Sequence, residues 1–119
     1  MDERELKLTD PDGSAVLITV READLRAGFK RGRLLRELIS DDLIRDDPDL
    51  ASIYAIYADL VAGTRKVDGM TWPVTADEFV ALSDHWFDRV GGPWLQAVQE
   101  LNPHWSPSYH QGEAPAAVG

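Results

Sequence analysis

The 119-residue chain contains no cysteine. That excludes disulfide staples, thiolate metal ligands and a thiol nucleophile, and it fits a reducing cytoplasm. No apolar run comes near the ~20 residues that span a bilayer. The opening Met1-Asp2-Glu3-Arg4-Glu5 lacks the apolar stretch of a secretory signal. The expectation is a soluble, cytoplasmic protein with no membrane partner. Signature catalytic chemistry is missing too. There is no phosphate-cradling glycine loop, no nucleophile elbow and no metal-binding His pair. The chain therefore reads as non-enzymatic, with no catalytic, cofactor or metal residue to name.

Positive charge is scarce as well: 12 Lys and Arg stand against 21 Asp and Glu, a formal net charge of −9. The scarcity is uneven. Arg21, Arg26, Lys30, Arg31, Arg33 and Arg36 all fall within residues 21–36, which carry a net +4. Residues 1–20 carry −3 and residues 37–119 carry −10. One cationic patch on an anionic body can orient partners through its field.

Hydrophobic patterning predicts an α+β fold, mostly helical: an N-terminal β-hairpin followed by a bundle of three to four α-helices. Leu6, Leu8, Val16, Ile18 and Val20 recur at period two around Asp10-Pro11-Asp12-Gly13, which predicts strands at 5–9 and 15–20. Two strands alone are marginal, so helices, or a strand from a second copy, must cover them. Thr19 with Glu22 reads as a capping box for a helix reaching Ile39, with Leu25, Phe29, Leu35, Leu38 and Ile39 as candidate core residues. The apolar stripe jumps near Gly32, and glycine costs a helix about 1 kcal/mol against alanine, so a break is expected there. A second helix runs from the cap Asp47 and Pro48 to Gly63. Residues 64–74 read as a connector. Thr75 and Glu78 form a second capping box, opening a helix whose buried face holds Phe79, Leu82, Trp86 and Val90. Gly91-Gly92 is expected to stop it and Pro93 to open a short fourth helix ending at Asn102-Pro103. One domain is expected over 1–102, with an extended or disordered tail over 103–119.

Arg26, Lys30 and Arg33 would form one stripe on a helix, and with Arg31 they are the candidate docking residues. The plain alternative is a solvated face with local salt bridges. Nucleic-acid binding has less support, because the total is acidic and no recognisable groove-reading element or set of stacking aromatics accompanies the patch. Asp41, Asp42, Asp46, Asp47 and Asp49 lack the glycine and closing glutamate of a calcium loop and read as a helix connection. Asp77, Asp84 and Asp88 with His85 read as an exposed helix face. Trp72 and Trp105, on non-helical segments, are either interface anchors or clips holding connector and tail to the body.

The layout resembles the tail assembly chaperones of long-tailed bacteriophages and prophages. The likeness rests on the hairpin around Asp10-Pro11-Asp12-Gly13, the charged helix after it and Asp68-Gly69-Met70-Thr71-Trp72-Pro73. It continues through the helix start Thr75-Ala76-Asp77-Glu78-Phe79 to the aromatic segment around Trp94-Leu95 and Leu101-Asn102-Pro103-His104-Trp105. It spans roughly residues 5–105. The resemblance implies a protein of the host cytoplasm that binds the tape-measure protein and recruits tail-tube subunits, often while self-associating. Two other functions fit the charge pattern: a small regulatory protein binding nucleic acid through Arg26–Arg36, or an acidic nucleic-acid mimic.

Overall fold

A computed structural model describes residues 1–40 and 42–105. Two strands, β1 (Glu3–Thr9) and β2 (Ala15–Arg21), pair antiparallel in the expected hairpin, with Leu6 opposite Ile18 and Leu8 opposite Val16. Asp10 builds the turn: its Oδ1 accepts the amides of Asp12 and Ser14, and Gly13 takes φ 86°. Helix α1 (Leu25–Leu38) follows, then a short α2 (Asp42–Arg45) and the long α3 (Pro48–Ala62). Asp47 caps α3 by accepting the Leu50 amide at 3.1 Å, with Pro48 in the first turn, as the sequence predicts. Asp41, within the acidic run, lies outside the described residues.

The expected connector is partly a strand. β3 (Thr64–Asp68) adds to β2, giving a three-stranded antiparallel sheet of order β1-β2-β3. Its sequence, Thr-Arg-Lys-Val-Asp, carries one apolar side chain and hides the period-two signal. It forms because β2 offers an open edge directly after α3. A bulge between Thr19 and Val20 shifts the register.

Helix α4 (Ala76–Val80) carries the predicted capping box in full: Thr75 accepts the Glu78 amide and Glu78 accepts the Thr75 amide. The helix stops at Ala81, and Ser83 caps a new one by accepting the Trp86 amide at 2.9 Å. That helix begins as α5 (Asp84–Trp86), widens into a π turn over Phe87–Gly91 and continues as α6 (Gly92–Leu101). The expected stop at Gly91-Gly92 does not occur. Both glycines hold right-handed helical angles, and the Gly92 amide donates to the Phe87 carbonyl. Pro93 has no N–H to donate, and the wider turn ahead of it absorbs the missing bond. Gly91 is needed for space: a Cβ there would lie 2.6 Å from Phe87 Cδ2.

Val16, Ile18 and Val20 line the inner face of β2 and are fully covered. They pack with Leu60 of α3 and with Val90, Trp94 and Val98 of the last helix, while Leu6, Leu8 and Val67 border the cluster. Asn102, 0 % exposed, ends α6 and ties the fold together. Its Nδ2 donates to the Arg21 and Val98 carbonyls, and its Oδ1 accepts the Ala23 amide at 2.8 Å. Beyond Asn102 the chain makes a 3-10 turn, Pro103–Trp105, so the packed body extends three residues past the expected boundary. The rest of the expected tail, 106–119, lies outside the described residues.

Candidate protein-docking surface

Helix α1 is capped by Asp24, whose Oδ1 accepts the Ala27 amide at 2.8 Å, not by Thr19, which lies inside β2. Nor does it break at Gly32. The two apolar stripes that made a break plausible lie on opposite sides of one continuous helix. Ala27, Arg31, Leu34 and Leu38 form the side turned to the body, with Ala27 buried and the others partly covered. Leu25 and Phe29, one turn apart, form the other side and are 82 % and 75 % exposed. Both were expected in the core. The face of α1 against α3 has room for one stripe only, and Ala27, Arg31, Leu34 and Leu38 fill it.

Among the described residues Leu25, Phe29 and Met1 are the large apolar side chains left this exposed. Met1, Leu25 and Phe29 line one groove of about 440 Å³ together with Ala23, Asp24, Gly28, His104 and Trp105. Gly28 has open space where a Cβ would stand, so nothing within the fold demands glycine there. Gly32, one turn on, has only the Arg36 guanidinium at 3.5 Å. Two glycines in mid-helix cost stability that internal packing does not repay.

The structure splits the predicted cationic set. Arg26, Lys30, Arg33 and Arg36 are exposed along α1 and make no salt bridge among the described residues. Lys30 also borders a recess with Arg65 and Lys66 of β3. Arg31 is different: its Nε donates to Asp59 Oδ1 at 2.5 Å, and its guanidinium lies 4.8 Å from the centre of the Trp105 ring. It is a structural bolt joining α1, α3 and the 3-10 turn. Arg21 ends β2 with its Nε buried and unpartnered among the described residues.

Asp59, only 5 % exposed, was not singled out from the sequence, where it sits among apolar residues of α3. Burial raises its pKa, and the hydrogen bond and charge of Arg31 offset part of that rise. Burial, helped by the Glu78 charge, also raises the pKa of Tyr57, whose hydroxyl donates to the Val74 carbonyl at 2.5 Å.

Both candidate tryptophans pack against the body. Trp72 stacks edge-on against Trp94 at 4.6 Å between ring centres and touches Tyr57 and Phe79. Trp105 is buried under Arg31. A second recess, about 300 Å³, is apolar and lies between Ile53 and Ile56 of α3 and Phe79, Leu82, Trp86 and Phe87. Among the described residues no group of three His, Asp or Glu is placed to hold a metal ion, and no helix is long and apolar enough to cross a membrane. Comparison with known proteins returns no matching family model, no matching curated protein and no matching solved structure.

Proposed function

We propose that this chain is a non-enzymatic docking protein that holds an acidic, apolar-anchored segment of a protein partner on the outer face of α1. The observation that carries this reading is the pairing of Leu25 and Phe29, exposed beside an open groove, with four cations on the same helix that have no ion pair among the described residues. An apolar anchor sunk beside Gly28 supplies the desolvated centre of an interface, and Arg26, Lys30, Arg33 and Arg36, along the flank of α1 next to Phe29, select negative charge. An amphipathic helix with two apolar residues one turn apart and carboxylates around them has the matching chemistry.

In the tail-assembly reading, that segment belongs to the long helical tape-measure protein, which the chaperone shields while tube subunits are recruited in the host cytoplasm. The polarised surface supports this reading over a general nucleic-acid binder, because the cations flank Leu25 and Phe29 and no stacking aromatic pair.

Co-expression with tape-measure and tail-tube proteins encoded beside the gene, followed by co-purification, tests the biological reading. Titration of the full chain with a labelled acidic amphipathic helix tests the surface. Arg26→Glu with Lys30→Glu is expected to lower the association rate about tenfold at low salt, and Phe29→Ala to raise the dissociation rate. Undiminished binding by both variants, or tighter capture of DNA than of the acidic peptide, removes this reading.

A further inference from the structure

Strand β1 is an edge of the sheet, and its outward backbone groups follow from the ladder. The Glu22 amide donates to the Asp2 carbonyl and the Asp10 amide to the Ser14 carbonyl, so even-numbered residues of β1 bond to β2. Glu3, Glu5, Lys7 and Thr9 therefore turn their N–H and C=O groups to the open side. Among the described residues no backbone bond to another element engages them. The opposite edge, β3, instead borders the recess walled by Lys30, Trp72 and Pro73.

We propose that β1 pairs antiparallel with β1 of a second copy about a two-fold axis at Leu6, making a continuous six-stranded sheet. The register is fixed by three independent features of the strand. Centring on Leu6 overlaps all of Glu3–Thr9 with its copy. It sets Glu3 against Thr9 and Glu5 against Lys7 of the second copy, so every outward amide meets an outward carbonyl. A shift of one residue in the pairing sum would face outward groups with inward ones.

Charge selects the same register. Glu3 is held by Arg65 at 2.8 Å, and Arg4 by Glu100 at 2.5 Å. Glu5 and Lys7 are the charged residues of β1 without an ion pair among the described residues. The Leu6-centred register brings these two together twice, once on each side of the axis. The neighbouring allowed registers would instead set Glu5 against Glu5 or Lys7 against Lys7. A lone lysine in an edge strand blocks pairing; the glutamate two residues before it makes this edge complementary to itself. On the inner side, the partly covered Leu6 and its copy would meet at a close, non-hydrogen-bonded position.

Sedimentation equilibrium of the full chain at up to about 1 mM tests this. The expected mass is twice 13.2 kDa. Glu5→Lys or Lys7→Glu alone is expected to weaken the dimer by about tenfold or more, since like charges then oppose at both pairs. The double swap Glu5→Lys/Lys7→Glu restores it, and mixing the two single variants yields a heterodimer. Lys7→Pro removes an outward amide only, so it abolishes the dimer while circular dichroism keeps the fold's signature. A monomer at every concentration, a dimer indifferent to the single reversals, or a double swap that fails to restore association overturns the proposal.

Discussion

Asp59 shows what a single side chain can decide here. It puts a carboxylate among apolar neighbours and is tolerated because Arg31 reaches it from α1. Burial outweighs the arginine, so its pKa stands above the ordinary carboxylate value. The folded chain then holds the Asp59 proton more tightly than the unfolded chain does. That contribution to stability is complete below the ordinary value and is lost as pH rises through the folded one. Unfolding free energies of wild type and Asp59→Asn, measured from about pH 3 to 7, should therefore differ most in wild type's favour at the acid end. A difference that is flat, or grows toward neutrality, contradicts the assignment. Asp59 was invisible in the sequence because its meaning depends on Arg31, 28 residues away. Asn102 was read as a helix stop only, since its bonds to Ala23 and to the Arg21 carbonyl cross some 80 residues.

At the scale of elements, local signals were legible and non-local ones were not. The Asp47-Pro48 start of α3, the Thr75–Glu78 box and the Asp10–Gly13 turn depend on neighbours in sequence and were readable from it. β3 exists only because β2 has a free edge, and the π turn exists because Pro93 must be accommodated within a helix the core needs whole. α1 is the instructive case for the candidate site. The cationic stripe Arg26, Lys30 and Arg33 was evident, but Arg31, read with it, pairs with Asp59, and Leu25 and Phe29 were assigned inward because apolar residues are usually buried. Only the position of α3 shows which stripe is used. The glycines of α1 make a prediction that separates folding from docking. Gly28→Ala is expected to stabilise the chain by about 0.5–1 kcal/mol, because the helix gains propensity and the added methyl meets open space. Gly28→Leu, which adds a large side chain to the groove lining, should keep the thermal midpoint near wild type and weaken capture of the acidic helix. Thermal melts with peptide titrations read both. Equal binding by the two variants would show that the groove is not the seat of the anchor.

Across the whole molecule the charge distribution is lopsided, and the fold keeps it so. Arg26, Lys30, Arg33 and Arg36 are exposed along α1, while the remaining sequence is strongly acidic. A dipolar body of this kind should capture an acidic partner quickly at low ionic strength and slowly once the Debye length falls to ~8 Å near 0.15 M. Stopped-flow association rates should drop steeply with added salt, while dissociation, governed by Phe29 and Leu25, changes little. A salt-independent association rate would show that the patch steers nothing.

Met1 lines the groove with Leu25, Phe29 and Trp105. A purification tag fused ahead of Met1 would therefore emerge at the mouth of the surface meant to be assayed and compete with any ligand for it. The turn at Asp10–Ser14, at the far end of the hairpin from Met1, is the better point of attachment for a label or a sensor-chip linker.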